Sequence, residues 1–153
     1  MSTPRILCMC DLSMAPEAAE ALCAVGQLDC REPDQQVLED IIDQYDVLWC
    51  HTQVQVNQDV LDRAARLRVI NTASTGTNHI DVDAAVAKGI RVLSITRDYA
   101  LLDTFTATAE CAWMQMLACH RHLRAAVDHV LQGGWDIGDF VGRQLSGKPL
   151  GVL

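Results

Sequence analysis

Apolar residues in the first hundred positions fall into short runs separated by stretches with helical spacing. Arg5 to Cys10 (RILCMC), Asp46 to Cys50 (DVLWC), Arg68 to Ala73 (RVINTA) and Ile90 to Ile95 (IRVLSI) are brief, nearly continuous apolar segments bounded by polar or turn residues. Such runs suit strands buried on both faces of a parallel sheet. Between them the period changes. Ala15 to Val25 is rich in Ala, Glu and Leu and stops at Gly26, while Gln36 to Tyr45 places Val37, Leu38, Ile41 and Ile42 at helical spacing. Asn57 caps a helix through Arg66, and Asp81 to Lys88 reads as a short helix closed by Gly89. Strand, polar loop, helix, strand recurs at intervals that permit right-handed crossovers. The pattern therefore predicts an α/β fold with a doubly wound parallel sheet and ligand loops beyond the carboxyl ends of its strands.

From Thr104 to Leu131 the spacing predicts one long helix, with Ala107, Cys111, Met114, Leu117 and Ala118 among its apolar positions. At about 1.5 Å per residue it spans about 40 Å, more than a small sheet domain covers, so something else must pack on it. Gly133 and Gly134 end it, Trp135 to Gln144 is irregular, and Gly147 and Lys148 turn the chain into Pro149 to Leu153 (PLGVL), expected as a strand. An apolar strand with no following turn is an unpaired edge, so the chain is expected to be cut inside the first strand of a second domain.

Composition narrows the function classes. A chain of 153 residues, half of them apolar and 21% charged, is long enough to bury a core without staples. Twelve Lys and Arg against twenty Asp and Glu give a net charge of -8, which supplies no basic footprint for phosphates and argues against a nucleic-acid partner. No run approaches the roughly 18 apolar residues of a membrane span, and the amino terminus lacks a basic region followed by a long apolar one. No membrane association is expected, and the cytoplasm is the expected compartment. The seven Cys are an odd count without a CxxC spacing, and read as small buried hydrophobes in reducing surroundings. Cys8 and Cys10 share one side of a strand by period two, which is most simply core packing.

Four segments in order, RVINTASTGTNHIDVDAAVAKGIRVLSI, TATAECAWMQMLACHR, GGWD and GRQLSGKPLGVL, resemble the D-isomer-specific 2-hydroxyacid dehydrogenase family, the group that includes phosphoglycerate dehydrogenase. The resemblance is carried by Arg68 to Leu153 and is weaker before it. It implies a flavodoxin-like substrate domain at 1–103 and a long interdomain helix at 104–132 that also builds a homodimer. Residues 133–153 would then be a linker and the truncated start of a Rossmann NAD-binding domain, stopping just before the phosphate-cradling glycines. The implied activity is hydride transfer between the nicotinamide of NAD or NADP and a small 2-hydroxy or 2-oxo acid. The family's catalytic Arg, Glu and His are expected beyond Leu153, so no catalytic residue is assigned here and this fragment alone is expected to be inactive. The competing reading is a non-catalytic binding or regulatory module of the same fold, like the C-terminal-binding transcriptional corepressors. A glycine-rich run or a stop codon after Leu153 would separate the two.

The loop Ser74, Thr75, Gly76, Thr77 and Asn78 matches the family segment whose backbone N–H groups hold the substrate carboxylate, with Thr75 near the cofactor. The residues suit that role on their own terms, because Gly76 allows close approach and the loop leads toward a helix N-terminus. An ordinary strand-to-helix turn capped by Asn78 or Asp81 fits the same spacing. His51 stands where phosphoglycerate-type relatives often carry a substrate-binding Arg. It keeps hydrogen bonding without a permanent charge, and an exposed loop histidine is the plainer reading. Arg97 can reach an anionic substrate or make a surface ion pair near Asp98. Glu110 matches the family's Ala-Glu near the helix start and equally suits a first-turn carboxylate. His122 and His129 fall seven apart on one predicted helix face, but with His120 they form no convincing ligand set, so no metal is expected.

Overall fold

Five short strands carry the sheet: β1 (Arg5–Cys8), β2 (Gln27–Cys30), β3 (Val47–Trp49), β4 (Val69–Thr72) and β5 (Arg91–Ser94). In the computed structural model, which describes residues 3–152, every pairing is parallel and the order is β2-β1-β3-β4-β5. This is the flavodoxin-like order, in which the chain reverses direction across the sheet at β1. The doubly wound parallel fold is therefore the one its sequence pattern predicts.

The crossovers are α1 (Pro16–Val25), α2 (Gln35–Ile41), α3 (Gln58–Arg63) and α4 (Val82–Ala87). Right-handed connections place α1 on one face and α2, α3 and α4 on the other. The main core lies on the latter face, where Leu7, Met9, Leu48, Cys50 and Ile70 of the sheet region meet Leu38, Val60, Leu61 and Ala85 of the helices. Three of these helices start on a side-chain cap. Asp34 accepts from the Val37 N–H at 2.9 Å, Asn57 from Val60 at 3.1 Å and Asp81 from Ala84 at 3.0 Å. At the end of α1, a Cβ on buried Gly26 would lie 2.6 Å from the Pro4 carbonyl and against Ile6, so the chain passes β1 too closely for any side chain there.

Two features of this region differ from expectation. β2 has no counterpart in the sequence pattern, because an edge strand of sequence QLDC with exposed ends has no apolar run to announce it. Tyr45, buried beneath the Arg5 guanidinium at 4.7 Å, donates its hydroxyl to Asp29 and so fastens β2 to the rest. A short helix, α5 (Tyr99–Leu102), begins on Asp98, whose side chain accepts from the Leu101 N–H at 3.1 Å.

The chain divides into two units, Met1–Leu102 and Asp103–Leu153. In the second, the helix expected to be continuous is two: α6 (Ala107–His120) and α7 (Leu123–Leu131). Between them His122 adopts a left-handed conformation with φ 52°, an uncommon state for a residue with a side chain and one that no Gly or Pro in the sequence marks. His122 thus lies in the break, which removes the shared helix face with His129. After α7 the chain forms a short 3-10 turn at Gly138–Phe140, where the Phe140 ring sits 5.0 Å from His129. Residues 149–152 form no strand, contrary to the expectation for PLGVL. A strand exists by pairing, and no described segment pairs with this one.

Candidate functional site

The carboxyl ends of β3, β4 and β5 open into three loops at one edge of the sheet, where doubly wound folds place their ligands. Two of the loops are stitched together. The Val56 N–H donates to the His79 carbonyl at 2.8 Å and the Asp81 N–H to the Val56 carbonyl at 2.9 Å, an isolated parallel bridge between the loops that carry His51 and Ser74.

The Ser74–Asn78 loop is held from beneath by a directional chain of hydroxyls. Ser74 Oγ donates to the Gly76 carbonyl at 2.5 Å. Having spent its only proton there, it must accept at 2.9 Å from Thr72 Oγ1. Thr72, buried, must in turn accept from the Ser74 N–H at 3.3 Å and from His79 Nε2 at 3.2 Å. The network therefore assigns the Nε2–H tautomer to His79. Burial, above all, and then the neighbouring His51 push the His79 pKa down, so the ring is held neutral. From the turn just after β5, Thr96 Oγ1 donates to the Thr75 carbonyl at 2.6 Å, and Ser94 donates to Thr96 at 2.9 Å.

The consequence lies on the other side of the same peptide planes. With the chain trans throughout the described residues, a tethered Thr75 carbonyl turns the Gly76 N–H the opposite way, and a tethered Gly76 carbonyl does the same to the Thr77 N–H. Neither N–H meets an acceptor among the described residues. Two fixed, adjacent donors without partners are what a carboxylate seeks. Gly76 is not in the left-handed region, so its backbone makes no demand for glycine. A Cβ there would lie 2.9 Å from Asn78 Oδ1, so what glycine provides is room. Asp81 is the cap of α4, and the donors belong to the loop itself, not to a helix N-terminus.

His51 is half-buried, and its Nδ1 accepts from the Gln53 N–H at 3.2 Å. In the neutral ring this leaves Nε2–H as its free donor. Thr75 is exposed, with its carbonyl spent on Thr96. Arg97 is exposed and makes no ion pair among the described residues. Glu110, in the first turn of α6, accepts from the Thr106 hydroxyl at 2.6 Å. His129 accepts from the Asp136 N–H at 3.1 Å. Thr72, His79 and Thr96 are the residues that sequence reasoning passes over. The only signal for them is a polar residue of each type at the edge of an apolar run.

Residues 7–133 match the D-isomer specific 2-hydroxyacid dehydrogenase, catalytic domain. The chain is 36% identical over 119 residues to D-3-phosphoglycerate dehydrogenase of Methanocaldococcus jannaschii, covering 78% of this chain and 22% of that protein. It is 33% identical over 120 residues to hydroxypyruvate reductase of Thermotoga maritima, covering 78% and 38%. Among solved structures, a glyoxylate reductase from Paecilomyes thermophila superposes with a TM-score of 0.78 at 21% identity, over 97% of this chain and 47% of that one. A D-lactate dehydrogenase from Aquifex aeolicus complexed with NAD and lactic acid gives 0.76 at 21% identity, over 92% and 41%. At these identities the structural likeness is one of fold. The chain spans less than half the length of each of these relatives. Members of the matched family are NAD(P)-dependent dehydrogenases. A sheet of the expected order, a family match running from β1 to the end of α7, and relatives above 30% identity lead to one conclusion: the chain belongs to the D-isomer specific 2-hydroxyacid dehydrogenase family.

Proposed function

We propose that this chain is the substrate-binding part of an NAD(P)-dependent oxidoreductase acting on a small 2-hydroxy or 2-oxo acid. The Gly76 and Thr77 N–H groups hold the substrate carboxylate, with Ser74 and Thr75 fixing the loop. His51 Nε2–H is the side-chain donor offered from the neighbouring loop. The observation that carries this reading is the pair of outward N–H groups whose carbonyl partners are both tied down by hydroxyls. Fixing the donors before the ligand arrives lowers the ordering cost of binding.

The sequence contains no G-x-G-x-x-G run, so these residues offer no cradle for dinucleotide phosphates. Thr75 is the one residue of the chain placed toward the cofactor in this reading, and hydride transfer is assigned to no residue here. The exposed apolar side chains of α6 and α7, including Trp113, Leu117 and Val127, support a homodimer built on them.

The test is an amide-resolved NMR titration of the chain with glyoxylate, pyruvate and hydroxypyruvate. Saturable shifts centred on Gly76 and Thr77, lost in Gly76→Val but kept in the control Thr52→Ser, are the expected result. Shifts scattered over the surface, or none at these amides, would remove the loop from the site.

A further inference from the structure

A second cluster of reactive groups lies at the same edge of the sheet but on the opposite side of β1, between β1 and β2. Cys8 is buried and is the register partner of Cys30 on the adjacent parallel strand. Paired positions on neighbouring strands project to the same face with backbones about 4.8 Å apart, within the roughly 4.4–6.8 Å Cα separation that a disulfide spans. Cys10 projects to that face as well, and the Cys8 thiol donates to the Cys10 carbonyl at 3.6 Å. All three sulfurs are free thiols.

The cluster is open to small molecules from one side. A cavity of about 370 Å³ is lined by Cys10, Asp11, Leu12, Cys30, Arg31 and Glu32, and Cys30 is exposed while its register partner Cys8 is buried. We propose that Cys8 and Cys30 form a redox-modifiable thiol pair that a small peroxide closes into a cross-strand disulfide.

The chemistry balances with hydrogen peroxide as the named oxidant. Burial, above all, and then the neighbouring Cys8 push the Cys30 pKa up, so Cys30 is the slow nucleophile and access decides the first step. Its exposed sulfur, as the minor thiolate, attacks one peroxide oxygen and the other leaves as hydroxide, giving a Cys30 sulfenic acid. The Cys8 sulfur then attacks the Cys30 sulfur, the S–S bond forms and the S–O bond breaks, releasing a second hydroxide. The protons given up by the two thiols convert both hydroxides to water. Cys8 is suited to the second step. Hydrogen bonding with Cys10, above all, draws its pKa down to about 7 against the opposing effect of burial, close to the range in which a thiol attacks best. The bond closes a loop that contains α1 and fixes an edge strand whose burial is slight.

Nothing in the candidate carboxylate site is used, so the pair is testable on its own. The full 153-residue chain, reduced and freed of reductant, is treated with hydrogen peroxide, alkylated and cleaved after glutamate. That cleavage places Cys8 and Cys10 on one peptide and Cys23 and Cys30 on another. The expected result is loss of two alkylatable thiols per chain and a cross-link between the two peptides, both restored by dithiothreitol. Oxidation should also slow amide exchange in β2. Cys30→Ser should abolish the cross-link, whereas Cys10→Ser and Cys23→Ser should leave it. Because Cys30 is exposed, its replacement does not put folding at risk. A cross-link that persists in Cys30→Ser or disappears in Cys10→Ser would overturn the proposal. So would links between chains only, or sulfinic acid at Cys30 with Cys8 still alkylatable.

Discussion

The two units of the chain spend their apolar residues differently. Every buried side chain among the described residues lies in 1–102, and none lies in 103–152, although the second stretch carries Trp113, Met114, Leu117, Leu123, Val127 and Trp135. In the first unit each apolar run has a sheet or helix to meet, so hydrophobic burial and strand pairing support each other. In the second, local helix propensity suffices to form α6 and α7, and the apolar side chains find no cover within the chain itself. High hydrophobicity therefore measures the demand for a partner surface, and only the first unit meets that demand from its own residues.

The largest expected effect tests that contrast directly. Leu48→Ala, at the centre of the sheet, should cost about 2–5 kcal/mol in urea denaturation. At concentrations low enough to keep the chain monomeric, Leu117→Ser should change the same transition by less than about 0.5 kcal/mol while reducing binding of an apolar dye. Equal losses would mean that α6 contributes to a core and would break the comparison.

A smaller effect is expected within the first unit at the start of α4. Asp81→Ala removes the acceptor for the Ala84 N–H and should cost about 1 kcal/mol. Asn78→Ala should not share that cost, since Asn78 does not cap the helix. Calorimetry on the two variants would sharpen where the loop ends and the helix begins.

Next in size is a response to acid. His79 is held neutral in the folded protein, while the unfolded chain takes up a proton below about pH 6.5. The unfolded state then binds more protons, so stability should fall as pH drops from about 7 toward about 5. In His79→Gln this component of the slope should vanish, as read from melting temperatures across that range. A slope unchanged by the substitution would place the acid sensitivity elsewhere.

The least effect on stability, paired with the most specific effect on ligand, belongs to Gly76→Val. No left-handed backbone is at stake, and the added side chain meets only the flexible end of Asn78. The melt should shift little while carboxylate-induced shifts at Gly76 and Thr77 disappear. Ser74→Ala should act in the opposite sense, loosening the Gly76 carbonyl without covering the donors.

What can be read from the sequence follows the same division. β1, β3 and β4 are legible because a central parallel strand must be apolar on both faces, and β5, although at the edge, because its own run IRVLSI is apolar. The loops after β3 and β4 end on recognisable caps at Asn57 and Asp81. β2 is not, because an edge strand obtains its place from backbone pairing and from the Tyr45–Asp29 contact, neither of which leaves an apolar run. The left-handed residue at His122 has no local marker either. For the site, Ser74, Thr75, Gly76 and His51 are reached through residue type and family resemblance. Thr72, His79 and Thr96 escape that reading because their part is to brace the loop, with His79 reaching Thr72 across 7 residues and Thr96 reaching Thr75 across 21.

The parallel register has a consequence for how the chain is made. β1 lies between β2 and β3 and is the first of the five strands to leave the ribosome, yet it has no hairpin partner beside it. Its second neighbour, β3, follows about 40 residues later, which at roughly 5–20 residues per second leaves that flank bare for about 2–8 seconds of synthesis. During that interval Ile6, Leu7 and Met9 are shielded only by what α1 and the edge strand bring back. The nascent chain is therefore at its stickiest before β3 emerges, and slowing translation within α2 should increase its capture by chaperones more than slowing it after β4.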